Sequence, residues 1–227
     1  MIRKPRPFDG LDWLFELKYD GFRALAYLER GSCRLVSRNG HAFASFAKLV
    51  SSIARSLESS AAIFDGEIVC VDSKGRPRFN DLLFHRGEPR FFAFDLLYLD
   101  GKDLRHDQLA DRKAALRQLL RSGRKSSALN YVDHVSGSGI ALYERACKLD
   151  LEGIVAKHQS APYFSEHSIS TWYKIKNPRY SQMVGRHELF EQERHSEPVP
   201  GWHCCELACA ELEQANGSLS GGIRAFL

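Results

Sequence analysis

The chain has no apolar run long enough to cross a bilayer as a helix, no internal repeat and no low-complexity segment. Its opening residues, Met1-Ile2-Arg3-Lys4-Pro5-Arg6-Pro7, carry charge and proline with no apolar stretch after them, so neither a secretory leader nor a membrane partner is expected. Cysteine is present but without a pairing pattern: Cys33, Cys70, Cys147, Cys204, Cys205 and Cys209 are scattered irregularly. That scatter points to reduced thiols in a cytoplasmic protein rather than a disulfide framework. His203 with the last three cysteines lacks paired Cys-x-x-Cys spacing, so a short helix using cysteine as a small apolar residue is expected there, not a metal cluster. Charge of one sign is also scarce: 32 Lys and Arg against 28 Asp and Glu leave a net +4. A polyanionic partner is compatible with this, but its field must come from one local face.

What is there suits one large domain, or one domain with a small appendage. Apolar residues are 44% of 227, enough for a packed core. The stretch from Trp13 to Cys70 reads mainly as strands, with a hairpin turn at Glu29-Arg30-Gly31-Ser32 between Phe22–Leu28 and Cys33–Ser37. Leu49, Val50, Ile53 and Leu57 recur at helical spacing within Phe46–Leu57. Strand character returns over Ala62–Val71 and Phe91–Leu99, the latter an apolar run broken only by Asp95, which reads as a functional polar residue. Gln108–Leu120 is the clearest helix, with Leu109, Leu116, Leu119 and Leu120 on its apolar side and Arg112, Lys113 and Arg117 off it. A basic loop, Arg121–Ser127, follows, open to a solvent or a DNA-backbone reading. A further helix is expected from Gly139 to about Leu149, then strands at Gly153–Lys157 and Trp172–Lys176. Strands and helices without a βαβ rhythm predict an α+β fold with largely antiparallel sheets.

Six short motifs stand in fixed order: Glu16-Leu17-Lys18-Tyr19-Asp20-Gly21-Phe22-Arg23, Ser37-Arg38-Asn39-Gly40, Phe64-Asp65-Gly66-Glu67, Phe92-Ala93-Phe94-Asp95, Glu152-Gly153-Ile154-Val155-Ala156-Lys157 and Trp172-Tyr173-Lys174-Ile175-Lys176. Each alone is common, whereas the ordered set resembles the adenylation domain of ATP-dependent DNA ligases, of the bacterial end-joining type, among the lysine nucleotidyltransferases. The resemblance implies the ATP-grasp-like fold of ligases and capping enzymes: antiparallel sheets flanked by helices, with the nucleotide cleft between them. It also implies a lysine that joins AMP and releases pyrophosphate, and by motif position that lysine is Lys18. An unperturbed lysine titrates near ~10.4, so burial, neighbouring cations or a metal-linked water must free its amine.

Phosphoryl transfer is mostly positioning and charge neutralisation, which explains why so many bases gather around one amine. The resemblance assigns nucleotide contacts to Arg23, Arg38 and Lys157, and aims Lys174 and Lys176 at the α-phosphate. These last two alternate on a strand and so share a face. Glu67 and Glu152 match the carboxylates that hold Mg2+ (or Mn2+), a cation suited by one or two carboxylates plus phosphate oxygens. Each sits beside a glycine, which predicts a strand end facing a cleft. Phe94 matches the aromatic that stacks on adenine, and Glu16 the residue that reads its amino group. Asp20, Gly21, Asp65 and Gly66 are expected to shape turns.

Relatives of this kind usually continue into an oligonucleotide-binding barrel. In residues 177–227 only Val184, Val199 and Ile223 are β-branched, poor material for such a barrel. The expectation is an adenylation domain over residues 1–183 and an extension over 184–227 that is not a barrel. Any barrel would then be a separate oligonucleotide-binding or end-joining protein. With only a short lead before Lys18, dependence on NAD, which goes with an extra N-terminal domain, is not expected. The expected function is adenylation for nick sealing of nicked or broken double-stranded DNA, in repair or recombination. Two alternatives stay open: an RNA ligase or capping-type nucleotidyltransferase using the same lysine, and a non-catalytic remnant that binds ATP or DNA ends.

Overall fold

Eleven strands and four α-helices follow one another among the described residues and assemble into two sheets. The computed structural model describes residues 1–183 apart from 30, 38, 58–60, 125 and 164–170. One unit spans Met1–Ser181; a second starts at Gln182 and, past residue 183, lies outside the described residues, as do the extension and its cysteines. No helix among the described residues is long and apolar enough to cross a membrane.

In chain order the elements are β1 (Ile2–Arg3), β2 (Gly10–Leu17), β3 (Phe22–Glu29), β4 (Ser32–Ser37), α1 (Ala47–Ser56), β5 (Ala62–Cys70), α2 (Phe79–Leu83), β6 (Pro89–Leu99), β7 (Lys102–Asp103), α3 (Leu109–Ser122), β8 (Leu129–Tyr131), β9 (His134–Gly137), α4 (Gly139–Lys148), β10 (Gly153–His158) and β11 (Trp172–Lys176). The first sheet runs β1-β11-β10-β2-β9, antiparallel except where β1 lies parallel to β11. The second runs β4-β3-β5-β6-β7, with β8 parallel to β6.

Each sheet has its own core. Helix α1 buries Leu49, Ile53 and Ala54, the face its spacing predicts. These pack with Ala26, Leu28, Phe64, Phe91, Leu96 and Leu116 over the second sheet. A fully buried side chain such as Ile53 contributes roughly 1.5–3 kcal/mol. Beneath the first sheet, Phe15, Ile154, Ala156 and Ile175 pack with Ala146 of α4. Alternation along β2, β10 and β11 therefore sends Glu16, Val155, Lys157, Lys174 and Lys176 to the opposite face.

Four expectations are corrected. Arg112 and Lys113, expected off the apolar side of α3, are almost wholly buried there. Asp95 is sealed against Arg112, with Nε–Oδ1 2.8 Å and Nη2–Oδ2 2.9 Å, so the polar residue breaking that run has a structural partner. Asp65 and Gly66 lie in mid-strand rather than in a turn, and Glu67 is within β5 rather than at its end. Arg121 and Ser122 are the last residues of α3, which shortens the basic loop.

Candidate active site

Lys18 follows the last residue of β2, where its backbone N–H donates to Gly153 O at 2.9 Å. Two glycines permit the close approach there. Gly153 has φ of 135°, and a Cβ on it would meet Ile175 O at 2.1 Å; a Cβ on Gly21 would meet Ile68 O at 2.1 Å. Past Lys18 the chain is held by Asp20, which accepts from Tyr180 Oη at 3.0 Å.

Strand register lays out one face of the first sheet. Val155 is paired with Glu16 on one side and Lys174 on the other, Gly153 with Lys176, and Lys157 with Trp172. Lys18 Nζ donates to Glu152 Oε2 at 2.6 Å, and Lys176 Nζ lies 3.3 Å from Glu152 Oε1. Glu152 is buried just ahead of β10 and so carries both bases. Lys174, half-buried beside them, has no ion pair among the described residues.

The second sheet supplies the other wall. Arg23 pairs in register with Glu67 and grips Asp65 bidentately, Nε–Oδ1 3.0 Å and Nη2–Oδ2 2.6 Å, while Tyr163 Oη donates to Asp65 Oδ2 at 2.9 Å. Asp65 raises the Arg23 pKa beyond its already high value, and burial followed by Asp65 raises that of Tyr163. Phe94 is the extra residue of a bulge: Asp65 faces Asp95 and Gly66 faces Ala93, leaving Phe94 unpaired. A bulge re-aims the side chain it carries. Phe94 stands at 81° to Trp172, centroids 5.9 Å apart, and Lys157 Nζ lies 4.2 Å from both rings. Arg23 Cζ is 5.7 Å from the same two rings.

Beneath this aromatic corner is a buried charge cluster. Glu16 pairs with Lys113 Nζ through Oε1 and with Lys157 Nζ through Oε2, the latter at 2.6 Å. The Lys157 contact is an ion pair without hydrogen-bond geometry, so its buried Nζ makes no hydrogen bond. Burial pushes the Glu16 carboxyl up, but Lys113 and Lys157 outweigh it and hold the group below its usual range. Burial lowers Lys157, helped by the charge of Lys113 and opposed by Glu16. Lys113 is also lowered by burial, yet Glu16 pulls it above the usual lysine value.

The Glu67 carboxyl has no side-chain hydrogen bond or ion pair among the described residues, and burial pushes it up to about 8 despite Lys18 and Arg23 nearby, with Asp65 and Glu152 adding to the rise. An unpartnered carboxyl near Glu152 is the arrangement a hard divalent cation fits. Among the described residues no three His, Cys, Asp or Glu gather into a complete site.

The structure thus brings together Glu16, Lys18, Arg23, Glu67, Phe94, Glu152, Lys157, Lys174 and Lys176; Arg38 lies outside the described residues. Sequence reasoning missed Lys113, Tyr163 and Trp172 as members. Trp172 stood in a quoted motif beside Lys174. Lys113 offered one signal, a charge in a helix whose exposed and buried faces periodicity alone had to separate.

Comparison with known proteins places the chain in a family. The model of the ATP dependent DNA ligase domain matches residues 5–176. The multifunctional non-homologous end joining protein LigD of Pseudomonas aeruginosa is 35% identical over 170 residues, covering 73% of this chain and 20% of that protein. The DNA ligase of Thermococcus onnurineus is 29% identical, over 74% of this chain and 32% of that protein. The chain spans about a fifth of the length of the first of these relatives. A solved structure of mycobacterial DNA ligase D complexed with ATP and MES superposes with a TM-score of 0.69 at 30% identity, covering 78% of this chain and 59% of that one. The Chlorella virus DNA ligase-adenylate, at 16% identity and a TM-score of 0.51, shares the fold alone. Two sheets with flanking helices form the α+β nucleotidyltransferase fold of ligase adenylation domains, and the chain belongs to the ATP-dependent DNA ligase domain family.

Proposed function

We propose that residues 1–183 form an adenylation domain in which Lys18 takes AMP from ATP and passes it to the 5′-phosphate of a nicked or broken DNA duplex. The observation that carries the reading is Lys18 Nζ at 2.6 Å from Glu152, in one cleft with Lys176 and within the charge field of Glu67. The Lys18 nitrogen bonds to the α-phosphorus, the bond to the bridging oxygen breaks, and pyrophosphate leaves with that electron pair. Glu152 is the nearest acceptor for the proton the amine loses. Lys174 and Lys176, on one strand face, meet the negative charge on the α-phosphate oxygens. Phe94 stacks on the base and Glu16 accepts from its amino group. Arg23, and Arg38 beyond the described residues, serve the sugar and phosphates, while Lys157 fixes the base pocket.

Glu67 and Glu152 would hold Mg2+ or Mn2+, which when bound neutralises phosphate charge and favours the free amine. Residues 184–227 are read as an extension of that domain, and an oligonucleotide-binding or end-joining protein is the partner proposed for complete sealing. A cytoplasmic location is in keeping with the free thiols Cys33, Cys70 and Cys147, and similarity to non-homologous end joining LigD proteins supports a repair or recombination role.

Incubation with α-labelled ATP and magnesium should leave label covalently on the chain, stable to denaturation. Lys18→Ala should remove it, and labelled GTP should substitute poorly. Equal labelling of the Lys18→Ala protein refutes the assignment, and preferential labelling by GTP moves the reading to a capping-type enzyme.

A further inference from the structure

Lys113 makes three contacts from one nitrogen. It donates to Glu16 Oε1, to Val132 O at 3.1 Å and to Phe94 O at 3.4 Å. An ammonium has three donors, so all are used. The acceptors come from different walls: Glu16 from β2 of the first sheet, Phe94 from β6 of the second, and Val132 from the residue after β8. Lys113 is 1% exposed, and its Nζ lies 4.6 Å from the Tyr131 ring. A saturated, dry network of this kind fixes the positions of its members.

We propose that Lys113 is a positioning residue for nucleobase selection, holding the Glu16 carboxylate in place and tying it to the backbone of Phe94, so that the base-edge acceptor and the stacking ring keep one fixed spacing. The inference rests on the proposed reading of the site, in which Glu16 accepts from the adenine amino group. An ionised carboxylate has about four acceptor positions. Lys113 takes one by hydrogen bond and Lys157 lies against the other oxygen as an ion pair, which leaves room for an amino group, and an ionised carboxylate has no donor to offer a base lacking one. Without Lys113, Glu16 has Lys157 as its only cation and is free to turn towards it. The acceptor then leaves the plane of the ring stacked on Phe94. The same substitution strips a donor from Phe94 O at the bulge that aims the ring.

The test is equilibrium binding to the whole chain in EDTA, which stops chemistry, with ATP and with purine riboside triphosphate, which lacks the amino group. Wild type should prefer ATP by on the order of tenfold or more, because a site built around a hydrogen bond rejects the analogue that cannot make it. Lys113→Met should narrow that preference to within about threefold, mainly by weakening ATP, while Lys113→Arg keeps a cation and should preserve part of it. If the methionine protein does not fold, Lys113→Gln, which retains a donor but not the charge, should show the same narrowing. A folded Met or Gln variant that keeps the full preference overturns the inference, even if its melting temperature falls. Wild type with no preference overturns it together with the role of Glu16, and the covalent label on Lys18 then reports separately on adenylation.

Discussion

Glu67 is the residue at which stability and the proposed chemistry pull apart. Its carboxyl, ordinarily at 4.5, is pushed up to about 8 by burial with no paired cation to offset it. Between those two values the folded chain keeps a proton that the unfolded chain has released. The folded state therefore binds more protons, and the stability of the ligand-free protein falls as pH rises through this window. Glu67→Gln removes the titration. Melts of the ligand-free chain should show the variant gaining about 1–2 kcal/mol near pH 8, allowing for partial solvent access, and nothing near pH 4.5. The same variant should label poorly with ATP, a trade of function for stability. An equal gain at both pH values would show that shape, not charge, is responsible. Arg112 poses the opposite case, a cation with no access to substrate. Arg112→Met leaves Asp95 fully buried without its counter-charge and should cost about 3–5 kcal/mol in a denaturant melt, whereas Arg112→Met with Asp95→Leu should recover part of the loss. A single variant as stable as wild type would remove Asp95 from the structural role given to it.

At the scale of elements, strand β10 joins the two halves of the site, and Gly153 is where it can be broken. A side chain there needs an unfavourable positive φ and overlaps Ile175 O, so Gly153→Ala should push β11 away from β10 and carry Lys174 and Lys176 with it. The expected loss is about 2–4 kcal/mol of stability, with labelling falling more steeply than the folded fraction measured by circular dichroism. Labelling that simply tracks the folded fraction would mean the lysines do not depend on that register. This strand also shows what the sequence could tell. Helix α1, the β3–β4 hairpin and the alternation of Lys174 with Lys176 were legible because periodicity of 3.6 or 2 fixes them locally. Glu67 was misplaced at a strand end because a glycine beside it suggested a turn; the glycine serves close packing instead, since a Cβ on Gly66 would lie 2.5 Å from the Phe91 ring. Lys113 was illegible for a deeper reason. Its burial is decided by Glu16, 97 residues away in the chain, and no local pattern encodes a partner at that distance.

Across the described residues, the two sheets have separate cores, and the groups that join them at the cleft include Lys113 beneath the base pocket, the Phe94–Trp172 corner and the Arg23–Asp65–Tyr163 set. A nucleotide that stacks on Phe94 of one sheet while its phosphates meet Lys174 and Lys176 of the other adds contacts that exist only when both sheets are folded. Ligand binding of this kind stabilises by mass action, about 2.7 kcal/mol when the ligand is at a hundred times its Kd. ATP in EDTA should therefore raise the melting temperature of the whole chain and slow amide exchange in β6 and β10 together. Amides at the start of β4, on the edge of the second sheet away from Phe94, should change least because only Arg38, past the end of that strand, is assigned a nucleotide contact. Protection confined to one sheet would place the base and the phosphates on the same wall, and the cleft between the sheets would then not be where the nucleotide sits.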